Sequence, residues 1–259
     1  NKFGKQISFF FNCHNHFFEE ISKFRAARVI WASIMKNRFN VTNQKAMMCR
    51  FHTQTAGSTL TAQDIDNNII RTTLQATSAV IGGTQSLHTN SKDEALSLPT
   101  SDAAETALRT QQIIAFESGI ADVADPMAGS YYIESLTDDI IKKVTKLINE
   151  IDEIGGAVKA IENNFQQNMI SKSAYQYQME IDKNERIVVG VNEFKSEKDN
   201  AADIQRIDKK AVNEQLNRLK IFKANRSQKI VNQSIKDLDE AISNNKNIMP
   251  NIIECVESN

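Results

Sequence analysis

Residues 46–100 read AMMCRFHTQTAGSTLTAQDIDNNIIRTTLQATSAVIGGTQSLHTNSKDEALSLPT, and the fold is decided in this stretch. An apolar run at 46–49 turns polar over 50–55 and reaches Gly57. Across 61–81, Ile65, Ile69, Ile70, Leu74, Ala79 and Val80 recur at helical spacing, with Thr61 or Asp64 placed to cap the helix. Gly82 and Gly83 end it. A second short run, 84–91, again closes on polar residues. Strand, helix, strand is the repeating unit of a parallel sheet. Polar residues bunch at the carboxyl end of each predicted strand, where the loops of a parallel barrel open and carry its chemistry.

Side chains on a strand alternate between faces. His52 and Gln54 therefore share a face, with Arg50 behind them. Ser86, His88 and Asn90 share a face in the next strand, and Glu94 follows closely. Imidazoles, amides and a carboxylate at adjacent strand ends form a rim suited to a ligand rich in hydroxyls, amides or ring nitrogens. No nucleophile with an adjacent base is among them. The same groups also serve to satisfy loop backbone, and the pattern alone leaves both readings open.

Outward from this unit, 7–11 is an intensely apolar run that suits a strand buried on both faces, Ser8 and Phe10 sharing one of them. The loop 12–16 carries His14 and His16. A metal site there lacks a third ligand at useful spacing, and a loop bonding its own backbone is the better reading. Phe17, Ile21, Phe24, Arg28 and Trp31 mark a helix over 17–36, with Ala26 and Ala27 small enough for close approach to a sheet. Arg25 and Arg28 read as solvated or ion-paired on its outside. Ser101 and Glu105 open a helix that runs to about 116–118. Residues 123–132 read as a packing corner, 136–154 as an amphipathic helix broken by Gly155 and Gly156, 157–166 and 171–183 as helices, and 187–191 as a short β-branched strand. Beyond 193, Lys, Asn, Asp and Gln dominate. Val212, Leu216, Leu219, Ile230, Ile235, Leu238 and Ile242 keep helical spacing there, as in an arm wrapping a partner or a solvated tail.

Composition narrows the class. With 41% hydrophobic and 24% charged residues the 259-residue chain is of ordinary globular type. Its 31 basic against 32 acidic residues give no nucleic-acid stripe, and no apolar run nears the roughly 20 residues of a membrane span. Cys13, Cys49 and Cys255 lie far apart, without zinc spacing, and fit a reducing, cytoplasmic setting. The chain opens on Asn1 just before its first strand and reads as cut from a longer protein. A complete eight-stranded barrel needs about 250 residues, and only 7–11, 46–53 and 84–90 read as barrel strands.

Two stretches, RFHTQTAGSTLTAQDIDNNIIRT at 50–72 and GGTQSLHTNSKDEALSLPT at 82–100, resemble the large subunit of adenosylcobalamin-dependent acyl-CoA mutases, the methylmalonyl-CoA mutase family. ISFFFN, FFEEISKFRAARVIWA, ESGIADVADPMAGSYYIESLT and IVVGVNEF follow the family in the same order, so the likeness spans about 5–194. It implies an α/β fold, with the last three strand-helix units of a TIM-type (β/α)8 barrel at 1–120 and a helical closing region at 121–194; beyond the likeness, 195–259 reads from its composition and spacing as a helical, partner-wrapping arm. It implies an isomerase that rearranges a short acyl-CoA by a radical mechanism. His52, Gln54 and Gly57 then fall where the family meets cobalamin, Asn90 and Glu94 where it holds the deoxyadenosyl ribose, and Ser8 and Phe10 where it touches the CoA chain. Gln6 stands where the family has an arginine, which puts a CoA phosphate contact there in doubt. Ser58 and Met127 stand where many members have tryptophan. The family's catalytic histidine and its cobalt-ligating module fall outside this chain. The resemblance therefore implies three partners: the first part of the barrel, a cobalamin-binding small subunit or domain, and an acyl-CoA substrate, in a hetero-oligomer. Methylmalonyl-CoA, isobutyryl-CoA and 2-hydroxyisobutyryl-CoA stay open as substrates. A truncated, non-catalytic assembly piece is the alternative.

Overall fold

Phe9, Phe11 and Phe51 set the architecture. In the computed structural model, which describes residues 1–196 and 204–258, three strands lie side by side. They are β1 (Phe9–Cys13), β2 (Phe51–Thr55) and β3 (Ser86–His88), all parallel, in the order β1-β2-β3. Phe10 pairs with His52 and His52 with Ser86; Asn12 pairs with Gln54 and Gln54 with His88. The first crossover holds α1 (Phe17–Ser33), a π-helical turn at Ile34–Arg38 and the short α2 (Gln44–Met47); the second holds α3 (Asn67–Ile81). The remainder is helical, so the chain is an α/β fold with a small parallel sheet.

Alternation along the strands gives the sheet two unlike faces. One packs Phe9, Phe11, Cys13, Phe51 and Leu87 against Phe24, Ala27, Trp31 and Ala79 of α1 and α3. Phe24 stacks on Phe51 at 5.1 Å and Phe9 meets Trp31 edge-on at 4.9 Å. Burying each such ring contributes about 2–3 kcal/mol. The helices come close because the contact residues are small. Ala26 is fully buried, and a Cβ at Gly82 would stand 2.4 Å from the Phe24 ring. The other face carries Phe10, Asn12, His52, Gln54, Ser86 and His88, and Phe10 is 60% exposed there.

Several elements differ from the sequence reading. The run 46–49 is not strand. Asn43 accepts a hydrogen bond from the Lys45 amide and starts α2, and Ala46 joins Met35 and Val41 in a second small core. The rest of the run divides: Met47 packs on this second core, Met48 is exposed, and Cys49 is buried in the core beneath the sheet. β1 and β2 consequently lie further along the chain than expected, so His52 and Gln54 stand within β2. β3 is confined to three residues. α3 starts at Asn67, and neither Thr61 nor Asp64 caps it; residues 61–66 are turns, with Asp64 at φ 45°. The predicted strand 187–191 makes a single bridge, Val189 to Glu193. Its groups are used elsewhere: Arg71 donates to the Val189 carbonyl at 2.7 Å and the Asn192 side chain accepts from the Val188 amide at 2.7 Å.

The following helices are α4 (Ser101–Phe116), capped by the Thr100 hydroxyl, then α5 (Tyr131–Ile154), α6 (Ala157–Glu162) and α7 (Phe165–Asp182). Arg25 of α1 reaches Asp125 at 3.1 Å and Glu134 at 2.9 Å, the ion-paired role expected of it, and joins the 123–132 corner and α5 to α1. The hydrogen bond to Glu134 raises the guanidinium pKa against the opposing effect of burial. The chain divides into two compact units, Asn1–Gln205 and Arg206–Asn259. The second holds α8 (Lys209–Asn225), α9 (Gln228–Ser243) and α10 (Met249–Glu257). In it α9 and α10 pack together around Val231, Ser234 and Ala241. Residues 197–203 and 259 of the predicted arm lie outside the described residues. Among the described residues no helix is long and apolar enough to cross a membrane.

Candidate functional site

β2 ends at Thr55 and runs through Ala56 into a 3-10 turn, Gly57–Thr59. β3 runs through Thr89 to Asn90 and then turns. Three contacts bring these exits together. The Thr55 hydroxyl accepts from the Asn90 amide at 2.9 Å. Gln54 Nε2 donates to Asn90 Oδ1 at 3.0 Å. Gly57 lies so close that a Cβ there would stand 2.7 Å from Asn90 Nδ2 and 3.3 Å from Glu94 Oε1. Among the described residues Asn90 Nδ2 is itself buried with no hydrogen-bond partner, a costly state for an amide donor.

The exit of β3 is held by Asp93. Its Oδ1 accepts from the Ser91 hydroxyl at 2.6 Å and its Oδ2 from the Thr100 amide at 2.8 Å. Burial acts to raise this carboxyl's pKa, and the hydrogen bonds from Ser91 and Thr100 outweigh it, so the pKa lies below the usual value. Glu94 is left exposed beside Gly57.

One step toward the amino end of the same face, His52 Nδ1 meets the Ser86 hydroxyl at 2.7 Å, and the Phe10 ring lies 5.0 Å from the imidazole. Gln54, Gly57, Asn90 and Glu94 are thus in one cluster, with His52 and Phe10 below it on one face. Ser8 is exposed and precedes β1, outside the sheet. His16 stands 3.5 Å from Arg186 and 4.0 Å from Glu19. Among the described residues no group of three His, Cys, Asp or Glu side chains is placed to hold a metal ion. The Cys13 thiol is buried, its pKa pushed up to about 12 by that burial, and it donates to the Gln75 carbonyl at 3.1 Å, so it is no nucleophile.

Sequence reasoning passed over Thr55, which positions Asn90, Asp93, which holds the turn that follows it, and two buried amides of α3, Asn68 and Gln75. The last two carried a signal: they sit in α3 seven residues apart, polar where its buried face calls for apolar side chains. As it stands the arrangement offers donors, acceptors and a close backbone approach. It is equipped to hold and orient a polar, ring-bearing ligand.

The chain matches, over residues 1–259, the family model described as methylmalonyl-CoA mutase. It is 43% identical over 260 residues to the 2-hydroxyisobutanoyl-CoA mutase large subunit of Aquincola tertiaricarbonis, covering 100% of this chain and 46% of that one. It is 44% identical over 251 residues to the mitochondrial methylmalonyl-CoA mutase of Homo sapiens, covering 96% of this chain and 34% of that one. Against the methylmalonyl-CoA mutase of Escherichia coli (strain K12) the identity is 42% over 248 residues, 95% of this chain and 35% of that one. The chain therefore spans less than half the length of these relatives. With the match running from end to end, this chain belongs to the methylmalonyl-CoA mutase family.

Proposed function

We propose that the chain supplies the cofactor rim and part of the substrate face of an adenosylcobalamin-dependent acyl-CoA mutase. In this reading 1–120 form the last three strand-helix units of a (β/α)8 barrel, 121–194 close it, and 195–259 form an arm against a partner. The observation that carries the reading is the unpaired Nδ2 of Asn90, buried beside Gly57 and Glu94. An unmet buried donor costs about 1–3 kcal/mol, which a ligand acceptor offsets. Asn90 donates and Glu94 accepts, a combination suited to the vicinal hydroxyls of a ribose. Gly57 lets backbone approach a flat ring. His52 and Gln54 face the same space.

When bound, adenosylcobalamin supplies an organic radical that starts the carbon-skeleton rearrangement. This chain's residues hold and orient: Thr55 and Gln54 fix Asn90, Asp93 fixes the turn that presents Glu94, and Ser8 and Phe10 line the acyl-CoA path. Gln6 provides no cation for a CoA phosphate. The cobalt ligand and the catalytic histidine come from another domain or subunit, so the working enzyme is a hetero-oligomer or a longer chain. Methylmalonyl-CoA to succinyl-CoA is the proposed reaction. The comparable identity to a 2-hydroxyisobutanoyl-CoA mutase keeps that substrate and isobutyryl-CoA as alternatives. Three free, widely spaced cysteines suit a reducing, cytoplasmic setting.

The test is Glu94→Ala in the assembled enzyme. Adenosylcobalamin binding, titrated by visible absorbance, should weaken roughly tenfold with the circular dichroism spectrum unchanged. Wild-type affinity in a folded variant removes the ribose assignment. Turnover of the three candidate thioesters by the wild-type assembly then selects the substrate.

A further inference from the structure

The three loops that leave the strands are tied to one another by two side chains of α3. Asn68 is fully buried and all of its amide capacity is used. Its Oδ1 accepts from the Thr61 amide at 3.1 Å and from Arg71 Nη1 at 2.8 Å. Its Nδ2 donates to the Thr61 carbonyl at 2.8 Å and the Lys92 carbonyl at 2.9 Å. Thr61 lies just past the Gly57 turn, and Lys92 lies between Asn90 and Glu94. Gln75, 1% exposed, works one level down. Its Oε1 accepts from the Ala56 amide at 2.9 Å, and its Nε2 donates to the Thr59 hydroxyl at 2.7 Å and to Asn15 Oδ1 at 2.5 Å. It thus grips both ends of the Gly57 turn and links them to the exit of β1.

Only a carboxamide does this work. A carboxylate has no donor, a hydroxyl is too short for three loops, and an apolar side chain leaves buried backbone groups unmet. The Lys92–Asp66 ion pair also joins two of the loops, but Asp66 is 79% exposed and water competes for it.

We propose that Asn68 and Gln75 are positioning residues for the cofactor rim: they hold the exits of β1, β2 and β3 in mutual register, so that the Gly57 turn lies against Asn90 and Glu94. The proposal rests on the rim reading above, and it deepens that reading by assigning the rim's shape to one helix. Neither side chain needs to touch the ligand.

The experiment is Asn68→Asp in the assembled enzyme. The aspartate keeps the shape and the acceptor facing the Thr61 amide and Arg71, and loses the donor to both the Lys92 and the Thr61 carbonyls. Hydrogen exchange at the amides of residues 90–94 should quicken while those of α1 and β1 keep wild-type protection. The Kd for adenosylcobalamin, titrated by visible absorbance, should rise roughly tenfold. KM for the acyl-CoA should stay within about twofold. Gln75→Glu should quicken exchange at 56–60 instead. If Asn68→Asp does not fold, Asn68→Ser removes the same link without a charge and carries the same expectation. Unchanged exchange at 90–94 overturns the positioning role and leaves the rim reading standing. Quickened exchange with unchanged cofactor affinity leaves the link but overturns its positioning role for the cofactor, while the Glu94→Ala titration decides the rim reading separately.

Discussion

Gly57 matters for the atom it lacks. Its backbone needs no left-handed conformation, so its constraint is steric: Asn90 and Glu94 occupy the space a methyl group would fill. Asn90 cannot easily retreat, since Gln54 and Thr55 bond it from the β2 side. Gly57→Ala should therefore destabilise the fold by about 1–3 kcal/mol and weaken adenosylcobalamin binding in the assembled enzyme, measured by denaturant titration and visible absorbance. A variant with wild-type stability and affinity would show that the contact yields freely. At this scale the sequence is partly legible. Period-two alternation places His52 with Gln54 on one face, and the register adds Phe10. It does not reveal that Asn90 carries an unpaired buried donor, because that depends on Gln54 taking its Oδ1 and on nothing taking its Nδ2.

Among the elements, helices are read more reliably than strands, for a physical reason. Amphipathic periodicity is a local property, so α4 is found close to its true ends, while α5 and α3 fail only at their starts: α5 begins at Tyr131, five residues earlier than read, and α3 at Asn67, where Asn68 holds the Thr61 end of the preceding turns. A strand exists only if a neighbour accepts its backbone. Ile187 to Val191 has the right side chains, but Arg71 and Asn192 take its backbone groups first. Residues 46–49 have the right hydrophobicity, but Ala46 and Met47 pack in a separate core, Met48 is exposed and only Cys49 reaches the core beneath the sheet. The segment from Ser91 to Thr100 belongs to the same scale, because one carboxylate organises it. Asp93's pKa is depressed in the folded state from an ordinary value of 3.8, burial opposing and hydrogen bonds prevailing. A depressed carboxylate stabilises the fold above its unfolded pKa, and the contribution fades as pH falls through the folded value. Protection of the Thr100 amide, followed by hydrogen exchange, should hold at pH 6 and decline below about pH 4. In Asp93→Asn that acid step should vanish and protection should be lower throughout. An acid step of wild-type size in the variant would assign it to another group.

For the whole molecule, the sequence conveys the class of fold and the family. It could not convey how few residues pair: β3 has three, and its exit is held by side chains more than by sheet. The parallel order of the strands has a consequence for the time course of folding. No two of these strands are joined by a tight turn. β1 meets β2 only after α1 and α2 have intervened, and β2 meets β3 only across α3. Closing such loops before any contact rewards them is entropically unfavourable, and a helix shortens the chain that must be closed. α1 and α3 should therefore acquire protection first in pulse-labelled refolding, and the amides of β1, β2 and β3 last. Strand amides protected ahead of α3 would reverse that order. Since Asn68 and Gln75 ride on α3, the helix that forms early carries the polar groups against which the late strands come to rest, and the face proposed to take the ligand is the last surface the chain completes.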